Sequence, residues 1–179
     1  MQNHSQRLDL EEAFSRIITK IKSITKTEII GLAECGGRIL SEEIRAPISL
    51  PPFRSSAMDG YSVKREAYLK NPQQEFEVIG SSFAGKPFSG SMGIDQCVRI
   101  FTGAVVPDDA DMVMLQERAE ILPESRVKFS ENFENENHIR EVGNDIKKGK
   151  CVAKSKQKMT PYLIASLASV GLTQVSVFT

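Results

Sequence analysis

The pattern of apolar residues changes twice along this chain, and this change restricts the fold more than any other feature. Between about residues 50 and 146 the apolar runs are short, and clusters of Gly, Pro, Ser and Asp separate them. Such runs predict strands joined by turns, and the four clearest are 76–79, 97–101, 112–115 and 126–129. This part of the chain is therefore predicted to be a mostly β module with antiparallel neighbouring strands, and its acidic stretch 130–137 is predicted to be a loop.

The two flanking segments carry helix signals next to single strands. Asp9 and Glu12 have the spacing of a capping box, and the apolar residues behind them recur at helical intervals, which predicts a helix over about 9–23. Near the other end, Thr160 and Pro161 are suited to begin a helix and Gly171 to end one. The remaining predictions are strands at 27–32 and 173–178, a helical turn within 33–41 and an extended segment at 42–46.

These observations predict an α+β fold made of two domains. Domain I is a small, discontinuous α/β domain built from both chain ends, residues 1–49 and 147–179. Domain II is the inserted, β-rich domain, residues 50–146. A chain of 179 residues can form one domain or two small ones, and it is long enough to bury a core.

The charge balance argues against several classes of partner. Lys and Arg together number 23, as do Asp and Glu, so no net positive charge favours nucleic acid or an anionic membrane. The longest apolar-leaning run, 162–172, has about half of the roughly 20 residues that a membrane-spanning helix needs. The three cysteines lie far apart in sequence, which favours neither a disulfide framework nor a clustered zinc site. We therefore expect a cytoplasmic protein.

The segment 50–63 is the first of three that could carry chemistry. Two prolines restrict the backbone before it reaches Ser55, Ser56 and a lone carboxylate, Asp59, which a glycine follows. Asp-Gly pairs favour tight turns, because glycine accepts positive φ and aspartate bonds to nearby backbone. On residue chemistry alone, Asp59 is a general acid or base, a metal ligand, or only a turn former.

Two later segments combine small residues with charged ones. In 99–107 a predicted strand ends in Thr102-Gly103, where small residues let a ligand approach backbone N–H groups; a turn at the end of a strand is the alternative. In 138–146, Arg140 could bind phosphate and lies near a carboxylate, Asp145; a surface loop with an ordinary ion pair is the alternative. Taken singly, each segment is compatible with a purely structural role.

The order of these segments along the chain adds information that none of them has alone. Together they resemble the N-terminal half of the molybdopterin molybdotransferase family, which includes bacterial MoeA and the E domain of gephyrin. The similarity covers nearly the whole chain. The residues that carry it are Gly36-Gly37-Arg38-Ile39-Leu40, Leu50-Pro51-Pro52-Phe53, Ser56-Ala57-Met58-Asp59-Gly60-Tyr61, Arg99-Ile100, Thr102-Gly103-Ala104, Val106-Pro107, Ala110-Asp111, Gln116-Glu117, Arg140, Gly143, Asp145-Ile146, Gly149, Thr160-Pro161, Ser166-Leu167-Ala168 and Gly171-Leu172.

The resemblance implies a reaction, a cofactor and a set of residues. Members of this family transfer molybdate to adenylylated molybdopterin and release AMP, with a divalent ion that we expect to be Mg²⁺. They are expected to be homodimers whose cleft lies between domain II of one subunit and later domains of the other. The resemblance assigns catalysis, and binding of Mg²⁺, to Asp59 and Asp145. The residues that it assigns to cofactor binding are Ser56, Thr102, Gly103 and Arg140.

The chain departs from the family pattern at single residues and in length. Arg54, Val142 and Asn144 replace residues of different charge in many members. The family continues into a domain III, which supplies most of the pterin and molybdate pocket, and a domain IV, whereas this chain stops at Thr179. We therefore expect the chain to be inactive alone, as the N-terminal part of an enzyme. The alternative is a shortened relative that serves as a non-catalytic interaction or oligomerisation module.

Overall fold

The structure is a computed structural model, and it describes residues 8–129 and 137–179. Most of the predicted acidic loop, 130–136, lies outside the described residues. The chain divides into two compact units: the first is Met1–Ile44 with Cys151–Thr179, and the second is Arg45–Lys150. These divisions fall a few residues away from the predicted ones at 49/50 and 146/147.

Both units contain helices and strands, with most of the strands in the second one. In chain order the elements are α1 (Leu10–Lys20), β1 (Thr27–Gly31), β2 (Ile44–Arg45), β3 (Ser55–Ser56), β4 (Gly60–Val63), α2 (Arg65–Lys70), β5 (Glu75–Ser82), β6 (Gln96–Ile100), β7 (Met112–Leu115), β8 (Ala119–Leu122), β9 (Arg126–Phe129), β10 (Ile139–Arg140), β11 (Cys151–Ala153), α3 (Pro161–Ser169) and β12 (Gln174–Phe178). Two short 3₁₀ helices lie at Leu32–Glu34 and Gln116–Arg118.

Helix α1 begins where the sequence predicts and ends earlier. The Asp9 side chain caps it by accepting a hydrogen bond of 2.7 Å from the N–H of Glu12. Its last residue is Lys20 rather than residue 23, and Ile21 already has an extended backbone. None of its residues is buried. The exposed large apolar side chains of the helix and the segment after it, which we call the α1 apolar face, are Leu10, Phe14, Ile17, Ile18, Ile21 and Ile24.

Helix α3 has the predicted start and stop. The hydroxyl oxygen of Thr160 accepts a hydrogen bond of 3.3 Å from the N–H of Leu163, and Pro161 is the first helical residue. Gly171, just after the helix, has a φ of +85°, which glycine adopts without strain. Leu163 and Leu167 pack into the apolar core of the first unit, together with residues of β1, β11 and β12. Strands β1 and β12 pair antiparallel, so the two chain ends share this core.

The second unit is built on a six-stranded sheet with the order β7-β4-β6-β5-β9-β8. The four strands predicted between residues 76 and 129 all belong to it. Four neighbouring pairs are antiparallel, but β5 and β6 are parallel. The prediction of antiparallel neighbours is therefore wrong for this pair. Parallel strands need a longer connection than a hairpin turn, and residues 83–95 supply it.

Both faces of this sheet are covered by apolar side chains. Met112 and Met114 belong to one buried cluster with Phe76, whereas Val113 belongs to a second cluster with Ile100. Side chains alternate between the two faces of a strand, so these clusters lie on opposite faces. A strand that is buried on both faces reads as an uninterrupted apolar run, and this accounts for the sequence of β7.

The sequence did not predict α2, which lies within the mostly β module. The helix has only six residues, and Lys64 before it makes no capping hydrogen bond; the N–H of Arg65 donates instead to the distant Asp111 side chain at 2.6 Å. Less than two turns is too short to give a recognisable helical period. It is held instead by Ala67 and Tyr68, which are buried against the sheet. In the part of the chain that the structure describes, no helix has the length and apolar character needed to cross a membrane.

Candidate functional site

The proline-rich arm, residues 50–54, lies along the loop that contains the third predicted segment. The carbonyl of Leu50 accepts a hydrogen bond of 2.9 Å from the N–H of Asp145, and its N–H donates to the carbonyl of Ile146 at 2.7 Å. The carbonyl of Pro51 accepts a hydrogen bond of 2.9 Å from Gly143, whose φ of +73° favours glycine. The arm and the loop therefore position each other through their backbones.

Strand β3 brings all three predicted segments together. It pairs antiparallel with β10, which places Arg140 opposite Ser55. The N–H of Ser56 donates to the carbonyl of Ala104 at 3.0 Å, and its carbonyl accepts a hydrogen bond of 2.9 Å from Gly103. The segments 50–63, 99–107 and 138–146, which are far apart in sequence, thus meet within hydrogen-bond distance of one short strand.

Asp59 is anchored through one oxygen of its carboxylate. Its Oδ1 accepts two hydrogen bonds from Thr102, one of 2.8 Å from the backbone N–H and one of 2.7 Å from the hydroxyl. The Thr102 N–H is the main reason why the pKa of the Asp59 carboxyl lies below its ordinary value; the Thr102 hydroxyl lowers the pKa further, desolvation opposes this, and nearby Arg99 adds to the lowering. The side chain is only partly covered, so an ionised carboxylate is held in one orientation and remains accessible.

Thr102 and Gly103 form the tight turn that was the alternative interpretation of their segment. The N–H of Ala104 donates to the carbonyl of Phe101 at 2.9 Å, and Gly103 has a φ of +80°, which suits the third position of such a turn. The N–H groups of Thr102, Gly103 and Ala104 all have acceptors within the protein. Binding of a ligand by Thr102 and Gly103 stays a prediction, and it would require one of these N–H groups or the Thr102 hydroxyl, which donates to Asp59, to change its partner.

The hydroxyl of Ser56 makes its hydrogen bonds within the neighbouring turn. Its hydroxyl donates a hydrogen bond of 2.6 Å to the carbonyl of Met58 and accepts one of 3.3 Å from the Met58 N–H. The residue is fully buried. These contacts fix the chain directly before Asp59, and a contact of Ser56 with a cofactor stays a prediction.

Gly60 sets the position of Asp59 relative to the sheet. It is the first residue of β4, and it pairs with Leu115 on one side and Ile100 on the other. A Cβ atom added here would clash with the backbone carbonyl oxygen of Met114 and would lie 2.8 Å from the carbonyl carbon. The close approach of the two strands therefore requires glycine directly after the carboxylate.

Sequence reasoning did not single out Arg99 as a site residue, although it borders Asp59. Its guanidinium donates to the carbonyl of Gly60 at 2.6 Å and to the side-chain oxygen of Gln116. The guanidinium also lies over two aromatic rings, 5.0 Å from the ring centre of Tyr61 and 4.5 Å from that of Phe101. The contacts with Gly60, Tyr61 and Gln116 depend on strand pairing, so the sequence offers no local signal for them.

Glu117 is a second carboxylate near Asp59. Its pKa is lowered, first by its own backbone N–H and then by the amide of Gln116, which donates to it at 3.1 Å. The charge on Asp59 raises the pKa of Glu117, and the charge on Arg99 lowers it. One polar cluster thus lies at the ends of β4, β6 and β7; it contains the charged residues Asp59, Arg99 and Glu117 and the amide of Gln116.

Asp145 and Arg140 approach this region through their backbones, and both side chains are exposed. Over residues 8–129 and 137–179, no hydrogen bond joins the carboxylates of Asp59 and Asp145 to a shared partner, and no group of three or more His, Cys, Asp or Glu could hold a metal ion. Carboxylates are nevertheless the ligand type that Mg²⁺ prefers, and it commonly uses one or two of them with substrate phosphates. The residues therefore fit Mg²⁺ in chemical type, and the site itself stays a prediction.

Comparisons with known proteins agree with the predicted resemblance. Residues 8–171 match the family described as the MoeA N-terminal region (domain I and II). A molybdopterin molybdenumtransferase of Haemophilus influenzae is 37% identical over 173 residues, which are 96% of this chain and 42% of that protein. A gephyrin of Dictyostelium discoideum is 30% identical over 182 residues, which are 93% of this chain and 25% of that protein.

Solved structures agree as well. Two crystal structures of the molybdopterin biosynthesis MoeA protein of Pyrococcus horikoshii superpose with a TM-score of 0.83 each, at 29% and 27% identity. The match covers 96% and 94% of this chain, and 44% and 45% of the other chains. The chain thus spans well under half the length of its relatives. The extent of these matches shows that the chain belongs to the family of the MoeA N-terminal region, domains I and II.

Proposed function

We propose that this chain supplies one wall of the catalytic cleft of a molybdopterin molybdenumtransferase. The complete enzyme would transfer molybdate to adenylylated molybdopterin and release AMP during molybdenum cofactor biosynthesis in the cytoplasm. The names of the relatives support this proposal. The observation that carries it is the partly exposed carboxylate of Asp59, held by Thr102 at 2.7 and 2.8 Å. Because the relatives are more than twice as long, we assign the activity to a protein of their length and expect this chain to be inactive alone.

In this proposal Asp59 acts through the oxygen that Thr102 does not hold. That oxygen would accept a proton from water or bind Mg²⁺, and Asp145 would be the second carboxylate. Bound Mg²⁺ would neutralise negative charge on the phosphate oxygens of the substrate. Because Asp59 is ionised well below neutral pH, it is ready for either role without first losing a proton.

The substrate would lie against the residues around β3. Arg140 is suited to a phosphate group, because its guanidinium donates several hydrogen bonds in a fixed plane. Thr102 would border the substrate while its hydroxyl, which has a single proton to donate, stays on Asp59, and the backbone bond between Ser56 and Gly103 would keep this turn in place. In this arrangement Asp59 and Arg140 belong to the same binding surface.

We further propose that the functional state is a homodimer that uses the α1 apolar face. The helix exposes 63% of Phe14 and 57% of Ile17, and Ile21 directly after it exposes 63%. Soluble monomers rarely expose a contiguous apolar surface of this kind, and such surfaces commonly mark a protein interface. This face also supports the second candidate function, a non-catalytic interaction module. A natural stop codon after Thr179, together with tight binding of a protein partner and no effect on cofactor formation, would favour that module.

The coding sequence downstream of Thr179 provides the first test. We expect an uninterrupted reading frame, and a protein encoded by it that forms molybdenum cofactor in a purified assay. Asp59→Asn in that protein should lower turnover by about 10²- to 10⁴-fold, the usual contribution of a positioned acid or base, without changing its folded spectrum. Asp95→Asn, an exposed aspartate of the same unit, is the control. Unchanged turnover in Asp59→Asn would remove Asp59 from the site, and cofactor formation by the 179-residue chain alone would refute its expected inactivity.

A further inference from the structure

A stack of flat side chains lies beside Asp59, and the reaction proposed above does not use it. The rings of Phe83 and Phe101 are stacked, with centres 4.6 Å apart and planes inclined by 11°. The guanidinium of Arg99 lies 4.5 Å from the centre of the Phe101 ring. Since Thr102, the next residue after Phe101, holds Asp59 at 2.7 Å, the stack adjoins the anchored carboxylate.

The backbone fixes this stack from two sides. Phe83 and Phe101 each follow the last residue of a strand, β5 and β6, and these strands are parallel neighbours with Ser82 opposite Ile100. The N–H of Phe101 donates to the carbonyl of Ser82 at 3.3 Å, and Phe83 exchanges two backbone hydrogen bonds of 3.0 Å with Lys86. The two rings are therefore held in position before any ligand arrives.

The outer ring of the stack is open. Phe83 exposes 44% of its surface even though Phe101 covers one of its faces. Nearly half of Phe83 is therefore accessible to a ligand beside the stacked pair. An exposed phenyl face beside a fixed charged group is a poor surface for water and a good one for a flat aromatic ligand.

We propose that the stack of Phe83, Phe101 and Arg99 binds a flat nitrogen heterocycle of the substrate against the open face of Phe83. This inference rests on the proposed function, whose substrate carries two such rings, adenine and pterin. A ring stacked on Phe83 would leave the phosphate side of the substrate directed toward Thr102 and Asp59. The stack would therefore set the distance between the ring and the reacting groups.

The test is a titration of the 179-residue chain, with ¹³C-labelled phenylalanine, followed by NMR. AMP supplies the adenine ring, neopterin supplies the pterin ring, and ribose 5-phosphate supplies neither. We expect AMP or neopterin to shift the ring signals of Phe83 and Phe101, and ribose 5-phosphate to leave them unchanged. The ligand that shifts them identifies which ring occupies the stack. The absence of ring shifts at millimolar concentrations of both AMP and neopterin would overturn the proposal.

Variants separate stacking from general effects on the fold. Phe83→Leu should weaken binding of the active ring by about 5- to 100-fold, the effect of removing one stacking partner, whereas Phe83→Tyr should retain it. Tyr162→Leu, at an exposed ring on α3 in the other unit, is the control and should not change binding. Equal affinity of wild type and a folded Phe83→Leu would also overturn the proposal. Ring binding is measured without turnover. Failure of cofactor formation would therefore count against the proposed function, whereas the binding result would still test the stacking proposal.

Discussion

The two hydrogen bonds between Thr102 and Asp59 explain how a small turn can hold a carboxylate ready for chemistry. Two donors on one residue, 2.7 and 2.8 Å from the same oxygen, favour the ionised form and fix its orientation. The other oxygen accepts no hydrogen bond from the described residues. Structural and chemical readings of Asp59 are therefore compatible, because the turn that occupies one oxygen presents the other.

Thr102→Val should raise the pKa of Asp59 part of the way to its ordinary value. The hydroxyl donor is lost, while the backbone N–H, the larger cause of the lowering, remains. A titration of the Asp59 carboxyl by NMR measures this, with Thr19→Val on α1 as the control. An unchanged Asp59 pKa in Thr102→Val would show that the hydroxyl has no part in holding the carboxylate.

The same hydrogen bonds make the free energy of unfolding depend on pH. The pKa of Asp59 is lower in the folded state than in the unfolded state, so its contribution is present above the unfolded value of about 3.9 and is lost as pH falls through the folded value. As pH falls below about 4, the free energy of unfolding measured in urea should therefore decrease less in Thr102→Val than in wild type. An equal decrease in the free energy of unfolding of the two proteins at low pH would contradict this account.

Gly60 is the residue whose replacement should disturb the site most through the fold. Gly60→Ala would force a methyl group into the backbone carbonyl of Met114 on the neighbouring strand. We expect a loss of about 1–3 kcal/mol in the free energy of unfolding, as for other overpacked positions, measured by urea denaturation. Gly36→Ala, where an added Cβ meets nothing within 4 Å, should change it by less than about 0.5 kcal/mol. Similar losses in both variants would exclude the strand contact as the cause.

At the scale of single elements, α1 and β7 show opposite uses of an apolar pattern. The run of β7 is buried because both faces of its sheet are covered. The helical pattern of α1 is as clear in the sequence, yet none of its residues is buried. A periodic pattern thus predicts which element forms, but it does not say whether the same chain covers its apolar side.

The α1 apolar face should control the oligomeric state. Lysine at Ile17 and Ile21 together would place two charges on that face, so the double variant should be monomeric where wild type is dimeric in analytical ultracentrifugation. Ile121→Lys, on β8, is the control because Ile121 is also exposed, at 78%, but lies outside this face. A monomeric wild type, or a double variant that remains dimeric, would refute the proposed interface.

At the scale of the whole molecule, the two units differ in how the chain builds them. The second unit is one continuous segment, Arg45–Lys150, with two apolar clusters of its own. The first unit needs both chain ends, because its core combines residues such as Leu40 with Leu167 and Val177. Continuity of the chain therefore favours independent folding of the second unit only.

A fragment of residues 45–150 should fold cooperatively when expressed alone, and a fragment of residues 1–44 should not. The first retains the six-stranded sheet, whereas the second lacks the partner strand and helix of its core. Circular dichroism and the dispersion of amide NMR signals measure both outcomes. A disordered 45–150 fragment would mean that the sheet depends on contacts beyond its own unit.

Most elements of regular structure, and the family resemblance, follow from patterns in the sequence alone. Caps at Asp9 and Thr160, and short apolar runs between turns, depend on neighbours within a few residues, so local patterns are sufficient to predict them. The motifs around Asp59, Thr102 and Asp145 likewise gave the resemblance that the comparisons support. Local patterns failed at α2, which is too short to show a period, and at the C-terminal end of α1, which stops at Lys20.

Contacts between distant side chains, in contrast, depend on how the strands pair in the folded protein. The parallel pairing of β5 with β6 brings Phe83 to Phe101, and the pairing of β4 with β6 brings Arg99 to the carbonyl of Gly60. These contacts join residues 18 to 39 positions apart, and strand pairing over such distances depends on the packing of the whole sheet rather than on nearby residues. The sequence could therefore identify the carboxylate, whereas the sheet determined what surrounds it.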